Sequence, residues 1–318
     1  MADKDELQLI LQITRLYYEQ DLTQQEIAER LNLTRQKVSR LLVQARSEGI
    51  VRITIHDPTP VDTRLALELK QTFGLKDVVL TSGEGLANET LRATIGMTAA
   101  RYLVKLLKDD SLIGIGWGRT LFEMVNSFPA QSKIKLHIIP LIGGIGGMAP
   151  SFQVNEIARR FADSFDGVYR FIHAPAFTQD TDVWKALMKM AEIKEIQELW
   201  QRLDLAVVGI GHVEFQKMSS MFFVDYISPS SLAQLEARGA VGDICGHFFN
   251  IHGKPIAIES EVIGISLPQL EATSNVVAVV GGKEKARAIL GALRGGYVKV
   301  LVSDTVTAQA VLQENAVS

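Results

Sequence analysis

Six residues of one short stretch, "LTRQKVSRLL", carry side chains suited to gripping a polyanion: Thr34, Arg35, Gln36, Lys37, Ser39 and Arg40. Arginine can bond both acceptors on a guanine edge, and glutamine the donor and acceptor of adenine, in the major groove of a duplex. Lysine, serine and threonine suit phosphate oxygens, which position a protein without reading sequence. The surrounding charge is sharply divided. Residues 1–29 hold two basic and seven acidic side chains, a net of −5, whereas residues 30–52 hold six basic and one acidic, a net of +5. The whole 318-residue chain carries only −3, so any affinity for nucleic acid must be local.

Such side chains work only on one rigid outward face, and the flanking pattern predicts the elements that hold them. Leu9, Ile10, Ile13, Leu16 and Tyr17 recur at helical spacing over residues 6–19. Thr23 stands three residues before Glu26, a capping box that opens a short second helix with Ile27, Ala28 and Leu31 inward. Thr34 caps a third helix with Val38, Leu41, Leu42 and Ala45 inward and Gly49 at its end. Helix, short turn, helix is helix-turn-helix spacing, and "IVRITI" alternates as the strand of a wing. A plain helical bundle with a solvated basic face, or helices used only for protein contacts, are the competing readings. The caps, turn and wing together favour double-stranded DNA.

The two prolines of residues 56–64 read as a linker, which divides a reader at 1–55 from a larger domain at 65–318. There, apolar runs near 78–84, 111–118, 134–144, 168–175, 205–211, 275–282 and 297–304 alternate with helical patterns at 65–74, 88–108, 119–127, 153–166, 181–202, 230–238, 283–293 and 305–313. This alternation predicts an α/β domain whose mostly parallel sheet is covered on both faces. Residues 246–259 read as an added hairpin turning at His252-Gly253.

Ligands of such sheets bind beyond the strand ends, where glycine admits close backbone approach. Gly116, Gly118, Arg119 and Thr120 form a strand–glycine–helix turn suited to a phosphate. Gly143 and Gly144 end another strand, and Lys283 and Lys285 stand in the first turn of a helix, where cations oppose the helix dipole unless an anion sits there. Dinucleotide, P-loop, zinc and serine-hydrolase motifs are absent, so no cofactor, metal or catalytic residue is expected. A single cysteine, Cys245, fits a reducing cytosol, and neither a signal peptide nor a membrane span is expected.

The N-terminal pattern, "GIGWGRT", "LIGG", "GAVGDICGHFF", "AVVGGKEKARAI" and "VLVSDTVTAQAVL" together resemble the SorC family of bacterial sugar-responsive transcriptional regulators, over essentially the whole chain. The resemblance implies a winged helix-turn-helix domain followed by a Rossmann-like effector domain related to sugar-phosphate isomerases. It also implies operator DNA, a phosphorylated sugar or polyol effector, and a homo-oligomer, commonly a tetramer. Gly116, Gly118, Arg119 and Thr120 match the family's phosphate-cradling turn, and Lys285 a phosphate-contacting lysine. Gln153 and Asn155 match polar positions facing the ligand, and Asp243 an acidic position holding sugar hydroxyls. Trp117 can stack on a sugar face. Several relatives carry threonine at Arg119. Some place a Schiff-base lysine where Ile142 stands, so noncovalent binding is expected here. The rival reading is a sugar-phosphate isomerase or deaminase carrying a DNA-binding appendage, with Asp243 as its base.

On the DNA reading, Lys37→Ala weakens binding to all sequences alike and shallows the salt dependence. Arg35→Ala costs roughly 1–3 kcal/mol and relaxes base preference. Retention of varied duplexes across a salt series measures both, and equal losses on every sequence would make Arg35 a phosphate contact.

Overall fold

The computed structural model describes residues 4–51, 63–129, 134–146, 150–214 and 227–318. The chain divides into two compact units, Met1–Pro58 and Thr59–Ser318. The first is built from α1 (Lys4–Tyr18), α2 (Gln24–Arg30) and α3 (Arg35–Ser47). Ile10, Ile13 and Leu16 of α1 bury against Ile27 and Ala28 of α2 and Val38, Leu41, Leu42 and Ala45 of α3. A seven-residue helix such as α2 has no stability alone, so its ends are satisfied locally. The Glu26 N–H donates to Thr23 Oγ1 (3.3 Å) and the Thr23 N–H donates to Glu26 Oε2 (2.8 Å). The Lys37 N–H donates to the Thr34 hydroxyl at the start of α3 (3.2 Å). Past the C-terminus of α3, Gly49 takes φ +73°, where a side chain would be strained. Most of the strand expected at 50–55 and of the linker expected at 56–64 lies outside the described residues.

The second unit opens with α4 (Thr63–Phe73), which takes in the last two residues read as linker. It continues through β1 (Asp77–Thr81), α5 (Asn88–Val104), β2 (Ser111–Ile115), α6 (Arg119–Val125), β3 (Leu136–Pro140), α7 (Val154–Asp163) and β4 (Val168–Tyr169). Then come β5 (Phe177–Thr178), α8 (Thr181–Met188), α9 (Ala191–Trp200), β6 (Leu205–Val208), β7 (Gly211–His212) and α10 (Pro229–Ala237). The chain closes with β8 (Ala240–Ile244), β9 (His247–Asn250), β10 (Pro255–Ile256), β11 (Glu261–Val262), α11 (Leu267–Ala272), β12 (Val276–Val279), α12 (Ala286–Arg294), β13 (Val300–Asp304) and α13 (Thr305–Val317).

Seven strands form one sheet in the order β1-β13-β12-β6-β2-β3-β4, with every neighbouring pair parallel. Their Val/Ile/Leu side chains alternate between two apolar layers. Ile113, Ile115, Val207 and Val277 meet Ile95, Leu121 and Phe161 of α5, α6 and α7. Ala206, Val208, Ala278 and Leu301 meet Leu69, Ile196, Ile289 and Val311 of α4, α9, α12 and α13. A helix expected over 181–202 is two helices, because Met190 turns extended (ψ 140°) to start α9. The 246–259 hairpin is present as β9 and β10, with Gly253 at φ +75°. It extends a four-stranded sheet, β10-β9-β8-β7, that the sequence pattern did not predict.

Ile13 has no solvent exposure within a core of few side chains. Ile13→Ala should cost about 2–5 kcal/mol and lower the melting transition of the first unit. Calorimetry should find that of Thr59–Ser318, whose apolar layers are separate, in place.

Candidate functional site

Strand order reverses between β2 and β6: the chain runs outward from β2 to β3 on one side and from β6 to β12 on the other. The crevice at such a switch point is where open α/β sheets take ligands. Here the carboxyl ends of β2, β6 and β12 surround a cavity of about 380 Å³.

Each wall follows from a local constraint. The Gly116 N–H donates to the Val207 carbonyl (2.9 Å), which extends β2 by one residue before the turn. Gly118 then takes φ +131°, a value that favours glycine, and α6 starts at Arg119 without a side-chain cap. Gly116, Trp117, Gly118, Arg119 and Thr120 line the cavity at this helix start. Trp117 is 92% buried among core side chains, so only part of its ring is available to a ligand. The Arg119 guanidinium lies 5.9 Å from the Phe152 ring centroid.

From β6 come Gly209, Ile210 and Gly211, followed by His212 and Glu214, whose Nε2 and Oε2 stand 3.9 Å apart. From β8 comes Asp243, buried against Gly211, where a Cβ would stand 2.0 Å from Asp243 Oδ1. Asp243 Oδ2 accepts the Gly246 N–H (3.1 Å). Burial raises the Asp243 carboxyl to about 6, against the opposing pull of that N–H and of Lys285. Beyond β12, Gly282 takes φ +108° and a single 3-10 turn, Lys283–Lys285, precedes α12. Lys285 Nζ donates to the Ile210 carbonyl (3.0 Å). Burial holds its ammonium below the ordinary lysine range. Glu284 and Asp243 oppose that shift, and Arg92 and Arg119 reinforce it.

Six of the expected effector residues thus share one cavity: Gly116, Gly118, Arg119, Thr120, Asp243 and Lys285. Four others stand apart from its lining. Gly143 and Gly144 donate their N–H groups to the Ile263 and Ala174 carbonyls (2.9 Å each). Asn155 donates to the Ile172 carbonyl and accepts the Ile172 N–H (3.1 Å each). Gln153 bonds both polar groups of Ile145. Gln153 thus holds the loop after β3, and Asn155 the stretch after β4. Ile142 is fully buried and bridges to Gly264.

The cavity also has walls that the sequence reading missed: Asn88 and Arg92 of α5, His212, Glu214 and Glu284. The four-residue spacing of Asn88 and Arg92 at a helix start was the available signal. Among the described residues, no group of three or more His, Cys, Asp or Glu is placed to hold a metal ion, and no helix is long and apolar enough to cross a membrane.

In the first unit, Thr34, Arg35, Gln36, Lys37 and Arg40 are exposed along α3, and Ser39 is half-buried beside them. Arg35 also borders an open groove with Tyr17, Tyr18, Gln24 and Gln25. No shielding carboxylate lies in the first turn of α3.

Residues 58–313 match the Sugar-bind family of sugar-binding domains, and residues 11–48 match sigma-70 region 4. The chain is 33% identical over 317 residues to the sorbitol operon regulator of Klebsiella pneumoniae, spanning 98% of this chain and 100% of that one. It is 30% identical over 314 residues to the deoxyribonucleoside regulator of Bacillus subtilis, spanning 98% and 99%. The crystal structure of the full-length sorbitol operon regulator SorC from Klebsiella pneumoniae superposes with a TM-score of 0.75 at 32% identity, covering 98% of this chain and 100% of that one. With a helix-turn-helix reader, a parallel-sheet sugar-binding domain and regulators as relatives along its whole length, the chain belongs to the SorC family of DNA-binding transcriptional regulators.

Proposed function

We propose that this regulator controls a carbohydrate or polyol catabolic operon, and that noncovalent binding of a phosphorylated sugar or polyol gates its hold on operator DNA. The observation that carries this reading is the meeting, in one strand-end cavity, of cations with a buried carboxylate. The Gly116–Thr120 turn and Lys285 suit a phosphoryl group, and Asp243 suits hydroxyls as an acceptor. Ile142 offers no amine for a covalent link. The names of the two relatives, one for a sorbitol operon and one for deoxyribonucleosides, support the sugar class. Residues 1–55 read DNA through Thr34, Arg35, Gln36, Lys37, Ser39 and Arg40, and residues 65–318 bind effector and assemble a homo-oligomer, a tetramer. Paired recognition helices then meet half-sites about one helical turn apart, or multiples of that. The effector moves the equilibrium between protomer arrangements only by its differential affinity for them.

A thermal-shift panel of sugar and polyol phosphates beside their unphosphorylated parents tests this. A true effector at a hundredfold its Kd adds about 2.7 kcal/mol of stability and alters retention of operator DNA in a gel. Equal shifts from the parents would remove the phosphate requirement, and a shift without altered retention would remove the gating.

The buried carboxylate makes a second test. Its pKa rises from 3.8 to about 6 on folding, so the folded chain holds that proton more tightly than the unfolded one. Stability contributed by this group falls as pH rises from about 4 to 6, and stays low above. Asp243→Asn should flatten that slope, raise Tm at pH 7 and weaken the effector-induced shift. An unchanged slope would assign it to other groups.

A further inference from the structure

We infer that Arg92 anchors the anionic group of the effector, as a third cationic arm beside Lys285 and the Gly118–Thr120 turn, and so sets the preference for phosphomonoesters over neutral sugars. This deepens the sugar-phosphate reading and rests on it. Asn88, Arg92 and Gly96 recur every fourth residue and share one face of α5. That face meets α6 at Gly96, where a Cβ would stand 2.7 Å from the Met124 nitrogen and 2.8 Å from the Glu123 carbonyl carbon. Only glycine lets the two helices lie this close. The close fit brings the start of α5 beside the turn that opens α6, and Arg92 and Asn88 join the cavity wall with Arg119 and Thr120.

Arg92 is half-buried and has no hydrogen-bond or ion-pair partner among the described residues. A guanidinium drawn from water without a partner is unfavourable, and it stays so until something anionic completes it. Its neighbours sharpen the point. Arg92 and Arg119 both act against the charge on Lys285, so three cations crowd one region, offset by Glu284 and Asp243. An incoming phosphoryl group relieves that repulsion, and the planar fork of arginine matches two of its oxygens. A neutral sugar offers no such gain.

Calorimetric titration of the full-length chain with inorganic phosphate, D-sorbitol 6-phosphate and sorbitol tests the assignment. The proteins are wild type, R92Q, R92K and R101Q. Arg101 is exposed near the far end of the same helix, so R101Q makes the same charge change away from the cavity. R92Q should weaken both phosphates about tenfold to a hundredfold, as loss of a charge-assisted bond does. R92K should recover part of that loss, R101Q should match wild type, and sorbitol should not discriminate. Circular dichroism confirms that R92Q is folded, and R92K carries the test if it is not. Wild-type affinity in R92Q, equal losses in R92Q and R101Q, or no phosphate binding by wild type would each overturn the inference. Arg92-dependent binding of inorganic phosphate without any sugar phosphate would uphold it and remove the sugar reading. Equal binding of the ester by wild type and R92Q would do the reverse.

Discussion

Strand ends can converge on one small ligand only if their backbones come closer than side chains allow, and one buried carboxylate organises that approach. Asp304 ends β13 at 1% exposure. Its oxygens accept the Thr307 N–H (2.9 Å) and hydroxyl (2.5 Å), and that hydroxyl accepts the Gly282 N–H (2.7 Å). The relay caps α13 and fixes the loop that carries Glu284 and Lys285. It also dictates composition nearby. A Cβ at Gly83 would stand 2.3 Å from Asp304 Oδ1, and one at Gly281 would stand 2.7 Å from Oδ2. Removing the Thr307 hydroxyl would take one of two bonds from the buried carboxylate and leave the Gly282 N–H without this acceptor, a marked loss.

The same logic of close approach, used twice more, makes the cavity. Gly211 yields to Asp243, and Gly96 yields to the backbone of α6. Each glycine brings a charged side chain to a place where water is scarce and an empty site is unfavourable. Asp243 and Lys285 both sit away from their ordinary titration ranges because burial disfavours their charged forms. A ligand that supplies hydroxyls to one and negative charge to the other relieves both.

The reader unit solves a different problem. Among the described residues its core is nine buried side chains from three helices, and α2 contributes two turns. End-capping by Thr23 and Thr34 matters more here than in the sheet domain, because few apolar contacts are available to hold the helices. The cations of the third helix are divided between its two ends, with Arg46 in the last turn, where the dipole favours it. Arg35 and Lys37 lie near its N-terminus, where the dipole disfavours them.

Much of this was legible in the residues alone. Period-3.6 patterns and capping signatures placed α1 to α3, because those signals are local. Val/Ile runs followed by glycine placed β2, β6 and β12, and with them Gly116, Gly118, Arg119, Thr120 and Lys285 at strand ends that line one cavity. Strands β7 and β8 were not legible, since "GAVGDIC" has little apolar alternation and the two residues of β7 pair with chain remote in sequence. Nor could spacing reveal that Gln153 and Asn155 bond the main chain outside the cavity lining, or that Arg92 stands at the cavity. Hydrogen bonds of Asn155 to Ile172 and the packing of Gly96 on Glu123 and Met124 join residues far apart in sequence. Local propensity determined the elements and the chemistry they carry. Only the order of strands and the closeness of backbones decided which charges share one enclosed space, because burial and Coulomb interaction depend on distance through space and not along the chain.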